Sequence, residues 1–312
     1  MNIQKINSFN SLYFNYSYFP KENNITFGKT YTYLNEYVEP VYQIAKKIFD
    51  MPIDEITDKK LEEIVKVPVG YYDSEDSDTI AYLVFDTSSD DSTKLESPKM
   101  YIPKFNAFSE ASKIISISNL CHEYTHLLQT NDNKNSFLGL VENCKKFGFT
   151  DENLFKTLYE CCEKIYFQLG GKMLSKAFSG LMKKHVAHDF EKKDSVNFLH
   201  YSITEDKIAK SMYYKNKTEF FEYALEDMQF FDSAVEDLCL NNSELAKMCV
   251  LNPTTTRQNL KKLLVDYCRQ CCEHEAQAYY TENRVVDKFG YVDRRTEFAY
   301  KYNAMLAVAL KG

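Results

Sequence analysis

Hydrophobic positions in the first part of the chain change from a helical to an alternating period. Apolar residues recur at helical spacing over residues 37–49 and, more briefly, over 56–64, which predicts two helices. Further along, the period becomes two, which predicts strands at 67–72 and 79–85. Residues 1–35 show no clear period and are rich in Asn, Ser, Tyr and Phe, so we expect an extended or loosely packed segment there.

A third apolar run with helical period follows a short strand. The strand is predicted at Lys99–Pro103, after an acidic, Ser-rich loop, and the helical run extends from Phe108 to Leu128. Beyond Asn131 the alternating pattern nearly disappears, and Gly, Asn, Asp and Ser breaks separate the helical stretches. We predict helices at 136–147, 152–169, 172–190, 205–214, 217–240, 254–289 and 293–310.

This order of elements predicts an α+β fold that is mostly helical and contains a small N-terminal sheet. Residues 1–130 would form the α/β subdomain and end in the helix over 108–128, and residues 131–312 would form a large helical subdomain packed on it. Neither an internal repeat nor a low-complexity linker interrupts the chain, so we expect both subdomains to belong to one domain.

Composition and charge exclude several classes of function. The formal net charge is −7 and the lysines are scattered, which argues against a nucleic-acid-binding surface. No stretch approaches the roughly 18 consecutive apolar residues of a membrane-spanning helix. The first residues lack the features of a secretory signal, so we expect a cytoplasmic protein, with leaderless secretion as the alternative. Nine cysteines, an odd number, favour free and mostly buried thiols.

One short motif in the third helix carries candidate chemistry. His122-Glu123-Tyr-Thr-His126 is an HExxH sequence, and positions four apart lie on one face of a helix. The two imidazoles can therefore bind one zinc ion, which lowers the pKa of a bound water towards about 7. Glu123, beside them, would act as the general base that takes the proton of this water. The motif predicts one zinc ion per chain.

The sequence of helix, strands, short last strand and HExxH helix resembles the first half of a zincin metallopeptidase. In that family the strand before the metal-binding helix usually borders the cleft and pairs with the extended backbone of the substrate. The resemblance implies that Met100, Tyr101 and Ile102 form an edge strand that binds substrate. Pro103, at the end of this strand, suits an edge rather than a central position.

The third zinc ligand is expected on the long helix near the C-terminus. Residues after His126 lack the glycine and histidine of a metzincin, whereas 271–280 resembles the glutamate helix of gluzincins. This resemblance implies that Glu273 is the third ligand and that Gln277 supports a metal-bound histidine. Glu275 is the competitor, and because positions two apart on a helix differ by about 200°, only one of these glutamates can face the metal. The face of Glu273 continues through Gln270, Gln277, Tyr280 and Arg284, and because these polar residues suit a cleft, we prefer Glu273 as the ligand.

Two further roles have several candidates. Many gluzincins take the group that stabilises the oxyanion from a Tyr or His of the second subdomain. The candidates here are His200, His274, Tyr280 and Tyr291. Tyr280 is preferred because it lies about one helical turn beyond Gln277 on the face of the predicted ligand. His185 and His188, three positions apart, are an alternative metal pair.

Taken together, these features predict a zinc metallopeptidase that hydrolyses peptide bonds in a protein or peptide substrate. Two alternatives remain open at this point. The chain could be a non-catalytic helical interaction protein on a zincin scaffold, or a translocated, toxin-like effector protease with one host target. The zinc content of the purified protein separates the enzyme from the scaffold.

Overall fold

The structure, a computed structural model, describes most of the 312 residues of the chain. The described residues are 2–7, 32–72, 81–87, 95–103, 110–178, 190–192 and 231–293, with seven further positions between 296 and 310. The predictions that involve His185, His188 and His200, and the predicted helix at 205–214, lie outside them. Within them, no helix is both long enough and apolar enough to cross a membrane.

The chain divides into two compact units. The first combines the described parts of Met1–Asn133, His185–Ala209 and Glu275–Tyr302, and the second those of Lys134–Lys184, Lys210–His274 and Asn303–Gly312. The first division lies close to the predicted subdomain boundary at 130. The long C-terminal helix, in contrast, contributes to both units, because the division passes between His274 and Glu275.

A four-stranded sheet in the first unit contains strands β1 to β4. These strands are Asn2–Asn7, Val69–Tyr72, Tyr82–Thr87 and Leu95–Pro103. Their spatial order is β1-β3-β4-β2, with β3 antiparallel to β1 and β4, and β2 parallel to β4. The predicted strands are therefore present, and the N-terminal segment contributes a further one.

The prediction that residues 100–102 form an edge strand is wrong. Met100 pairs with Leu83 on one side and with Val69 on the other, Tyr101 lies between Tyr82 and Gly70, and Ile102 pairs with Tyr71. Strand β4 is thus an inner strand whose backbone groups are already used by its neighbours. Met100 and Ile102 are fully buried. Pro103 is compatible with this position because it is the last residue of the strand.

Three helices of the first unit, α1 to α3, pack with the sheet around one core. They comprise Val38–Phe49, Asp58–Val65 and Glu110–Asn131, and short 3-10 helices lie at Thr32–Asn35 and Ile53–Glu55. Helix α1 buries Val41, Ala45 and Ile48, the helical stripe that its apolar period predicts. Thr57 caps α2 by accepting a hydrogen bond from the backbone N–H of Lys60. The core of these elements includes Leu83, Met100, Ile102, Ile117 and Leu120.

The remaining helices are α4 to α8, of which α8 extends through both units. Helices α4 and α5 are Ser136–Phe147 and Glu152–Phe178, α6 covers 231–241, α7 is Ser243–Leu251 and α8 is Pro253–Lys288. Helix α5 continues through Gly170 and Gly171, where the sequence predicted a break. Helix α8 ends just before Gly290, whose φ of 83° is the left-handed conformation expected after a helix. Short strands β5, Phe190–Lys192, and β6, Tyr291–Asp293, form a second sheet. The fold is mostly helical with a small sheet, as predicted.

Candidate metal centre

Helix α3 carries the HExxH motif in the interior of the first unit. Every residue of α3 from Lys113 to Gln129 is buried or half-buried, so this helix is enclosed on all sides. His122, Glu123 and His126 are 3%, 0% and 4% exposed. Polar side chains that lose this much water need partners in the protein or a bound ion.

The two imidazoles direct their Nε2 atoms towards one another and towards a carboxylate on α8. His122 Nε2 lies 3.1 Å from His126 Nε2. Glu275 places Oε2 3.3 Å from His122 Nε2 and Oε1 3.3 Å from His126 Nε2. Two atoms that bind one zinc tetrahedrally at about 2.0–2.1 Å are roughly 3.3 Å apart. Within the described part of the chain, these three side chains form a group that could hold a metal ion.

The other nitrogen of each histidine is held by a neighbouring side chain. His122 Nδ1 lies 3.1 Å from Glu282 Oε2, and the other oxygen of Glu282 accepts a hydrogen bond of 2.5 Å from Ser118 Oγ. His126 Nδ1 lies 2.8 Å from Gln129 Oε1. An ionised carboxylate can only accept a hydrogen bond, so Nδ1 of His122 carries the hydrogen. In the neutral imidazole the lone pair then lies on Nε2, the atom that faces Glu275.

Glu275, and not Glu273, is the glutamate of α8 that lies beside the histidines. Glu273 accepts hydrogen bonds of 2.9 Å at both carboxylate oxygens from Nη1 of Arg269, one turn earlier on the same helix. The prediction that Glu273 faces the histidines is therefore wrong, and Glu275, which the sequence had offered as the competitor, takes that position. Glu273 itself is half-buried and forms an ion pair with Arg269 within the same helix.

Gln277 supports the site less directly than the sequence predicted. Its Oε1 accepts a hydrogen bond of 2.9 Å from Gln129 Nε2, and Gln129 in turn contacts His126. The residue that takes the predicted position beside an imidazole is thus Gln129 on α3. The supporting carboxylate is Glu282, seven positions after Glu275, and the sequence reasoning missed it. The signal was available, because positions seven apart share a helix face.

The structure brings Tyr279, rather than Tyr280, to the histidines. The Tyr279 ring centroid is 4.3 Å from that of His122, and Tyr279 is 7% exposed. Tyr280 is half-buried and contacts the Tyr300 ring at 5.1 Å between centroids, with the Arg284 guanidinium 5.0 Å from its ring. These contacts do not support Tyr280 as the oxyanion group.

The other two oxyanion candidates within the described residues lie in different surroundings. Tyr291 is buried in a small cluster with Ile114 and Val286. His274 is half-buried on the part of α8 that belongs to the second unit. Neither position indicates an oxyanion role, and the group that would stabilise the oxyanion stays a prediction from the sequence.

Burial and the nearby opposite charges shift the pKa values of the site residues in opposite directions. Burial opposes a charge on His122, but its contacts with Glu275 and Glu282 outweigh this and raise its pKa to about 10. Burial would likewise raise the pKa of Glu275, but the charges of His126 and His122 hold it well below its ordinary value. Burial raises the pKa of Glu123 to about 7, because the nearby histidines offset it only in part. A proton and a metal ion would therefore compete for Nε2 of His122.

Glu123 is a buried carboxylate without a hydrogen-bond partner among the described residues. The side chain is fully buried, and neither carboxylate oxygen has a hydrogen-bond partner among the residues that the structure describes. Buried carboxylates normally accept several hydrogen bonds, so each such case requires an explanation. A water molecule held at a metal ion between His122, His126 and Glu275 would supply the missing donor. The donor set and this carboxylate both fit a zinc ion with a bound water.

Comparisons of this chain with protein-family models, with curated proteins and with solved structures find no match.

Proposed function

We propose that the protein is a zinc-dependent peptidase whose zinc is held by His122, His126 and Glu275. The observation that carries the proposal is the spacing of the three side chains, whose facing atoms are 3.1–3.3 Å apart in the interior. Two histidines and one glutamate form the ligand set of several catalytic zinc sites, which keep a fourth position open for water or substrate. A structural zinc site normally has four protein ligands, and the described residues provide three here.

Each side chain of the site has a defined part in peptide hydrolysis. Zinc, when bound, supplies a Lewis acid that lowers the pKa of water to about 7 and polarises the substrate carbonyl. Glu123 accepts the proton of the attacking water and then donates it to the leaving amine; its oxygens have no hydrogen-bond partner in the described part of the chain and are available for this transfer. Glu282 and Gln129 hold the two imidazoles in orientation through their Nδ1 atoms.

The substrate class is a protein or peptide, on the resemblance of the HExxH helix and its preceding strands to zincins. The two alternatives differ from this proposal in measurable ways. A helical interaction protein on the same scaffold would neither bind zinc tightly nor need Glu123 to be unpartnered. An effector protease with one host target would bind zinc but leave most peptides uncut.

Replacement of Glu123 with Gln tests the proposal directly. Zinc should remain bound, while turnover of a peptide mixture, followed by mass spectrometry, should fall at least about 100-fold, because general acid–base catalysis contributes about 10²–10⁴-fold. The control is Glu163→Gln, which makes the same change at a half-buried carboxylate of the second unit, where Glu163 accepts a hydrogen bond from Tyr267. Full activity of Glu123→Gln would contradict the proposal, as would the absence of zinc from the purified protein.

A further inference from the structure

Two cysteines in the second unit lie closer together than unbonded sulfur atoms normally do. Cys239 on α6 and Cys249 on α7, ten positions apart, have their Sγ atoms 2.7 Å from one another. Unbonded carbon atoms in contact are roughly 3.5–4.0 Å apart, and sulfur is larger than carbon. A disulfide bond brings the two sulfur atoms to about 2.05 Å. The separation of 2.7 Å is thus nearer to a bond than to an ordinary contact.

The turn between α6 and α7 holds the two cysteines in this arrangement. Asn242 alone separates the helices, and its side-chain Oδ1 accepts hydrogen bonds from the backbone N–H groups of Glu244 and Leu245. The backbone N–H of Asn242 donates to the carbonyl of Leu238 at 3.1 Å. This double cap determines the direction in which α7 leaves α6, and Cys249 consequently returns beside Cys239.

Both thiols lie just below the surface of the second unit. Cys239 and Cys249 are 5% and 7% exposed, whereas the residues that directly follow them, Leu240 and Val250, are 78% and 81% exposed. Helix α7 has nine residues, of which Leu245 and Cys249 are buried. A short helix with so small a buried surface opens at a low free-energy cost, and local opening exposes its thiol to small reagents.

We propose that Cys239 and Cys249 are a disulfide-forming pair that is oxidised by low-molecular-weight disulfides such as oxidised glutathione. The thiolate of one cysteine attacks a sulfur of oxidised glutathione, forms a mixed disulfide and releases one reduced glutathione. The second thiol loses its proton and attacks the protein sulfur of the mixed disulfide, which releases the second reduced glutathione. Two protein thiols are thereby oxidised to one disulfide, and one molecule of oxidised glutathione is reduced to two thiols.

The surroundings of the pair determine the rate of this reaction. Burial, together with the contact with Cys249, raises the pKa of Cys239 to about 12. Since the thiolate is the attacking species, attack by Cys239 is slow at neutral pH and accelerates as the pH rises. A reduced cytosol would keep the thiols free, and a more oxidising environment would join α6 to α7.

The experiment incubates the full-length protein with oxidised glutathione, blocks remaining thiols with an alkylating reagent and maps the cysteines by mass spectrometry after digestion. The peptides that contain Cys239 and Cys249 should be joined, and dithiothreitol should separate them. Cys144→Ser, at a buried cysteine of α4, is the control and should leave the cross-link unchanged. Cys239→Ser should abolish it, as should Cys249→Ser if the first variant does not fold.

Two results would overturn the inference. One is complete alkylation of both cysteines after prolonged oxidation of the wild-type protein. The other is recovery of either cysteine only as a mixed disulfide with glutathione. The measurement does not depend on zinc or on peptidase activity, so the pair should also form in the Glu123→Gln variant.

Discussion

Replacing Glu275 with Gln should remove most of the zinc affinity, whereas the same change at Glu273 should leave it intact. The two residues are two positions apart on α8, and each substitution removes one negative charge with little change in volume. Glu275 is 4% exposed and lies 3.3 Å from each histidine. The side chain of Glu273 is 23% exposed and forms an ion pair with Arg269. Glu273→Gln is therefore a matched control.

The expected loss follows from the number of ligands that remain. Removing a residue that only supports a ligand typically weakens metal binding about 10- to 100-fold. In the proposed site Glu275 supplies one of three protein ligands, so its replacement should cost more than about 100-fold, which is roughly 2.8 kcal/mol at about 1.4 kcal/mol per factor of ten. A partly exposed ion pair such as that of Glu273 stabilises a protein by at most about 1 kcal/mol. Its loss should leave the zinc Kd nearly unchanged.

The assay is competition for zinc between the protein and a chromophoric chelator, with elemental analysis of the purified variants and a thermal unfolding curve as a check of the fold. A wild-type Kd for a folded Glu275→Gln variant would refute the reasoning. Loss of zinc from Glu273→Gln alone would restore the original prediction from the sequence. Equal retention by both variants would place the third ligand outside this part of α8.

Three further outcomes follow from the contacts around the histidines. Glu282→Gln should raise the zinc Kd about 10- to 100-fold, because the carboxylate that orients His122 becomes an amide. Gln277→Leu should have a smaller effect in the same assay, because its contact reaches the imidazole through Gln129. Zinc binding near neutral pH should release a proton, because the pKa of His122 is raised to about 10 and zinc binds the neutral ring. In the metal-free protein, protonated His122 makes its full contribution to stability below about pH 6.5, the ordinary pKa of histidine. This contribution is lost as the pH rises towards about 10. Calorimetry in buffers of different ionisation enthalpy counts the protons. The first outcome would be contradicted by an unchanged zinc Kd for Glu282→Gln, and the second by a larger rise in Kd for Gln277→Leu than for Glu282→Gln. The third would be contradicted by a heat of zinc binding that is the same in all buffers.

Local patterns in the sequence predicted the elements that position the site. The apolar run over 108–128 became α3, and the spacing within HExxH placed both histidines on one face of it, because both properties depend only on the helical period. Helix α8 was predicted to within about one residue at each end, since its periodicity is long and Gly290 follows it. These successes concern single elements and their ends.

Pairings between distant segments could not be predicted in the same way. The strand at 99–103 has the composition of either an edge or an inner strand, and its position depends on β2 lying parallel to it on the far side from β3. The break expected at Gly170 and Gly171 depends on local propensity, a difference of about 1 kcal/mol per glycine that tertiary packing can override. For the strand, the deciding contacts lie outside the local pattern; for the glycines, the local cost is small enough for the helix to continue.

The choice between Glu273 and Glu275 depends on which face of α8 packs against α3. The spacing of the contacting residues on the two helices shows which face this is. Glu275 and Glu282 are seven positions apart and so share a face of α8, while Ser118 and His126 are eight apart and share a face of α3. Ser118 contacts Glu282 and His126 contacts Glu275, so the pairs run in opposite directions along the two helices. A residue at position 273 lies about 160° away from this shared face, measured the shorter way round the helix. Rotating α8 to present Glu273 to the histidines would therefore withdraw both Glu275 and Glu282, and the proposed metal site would lose a ligand and a supporting carboxylate together.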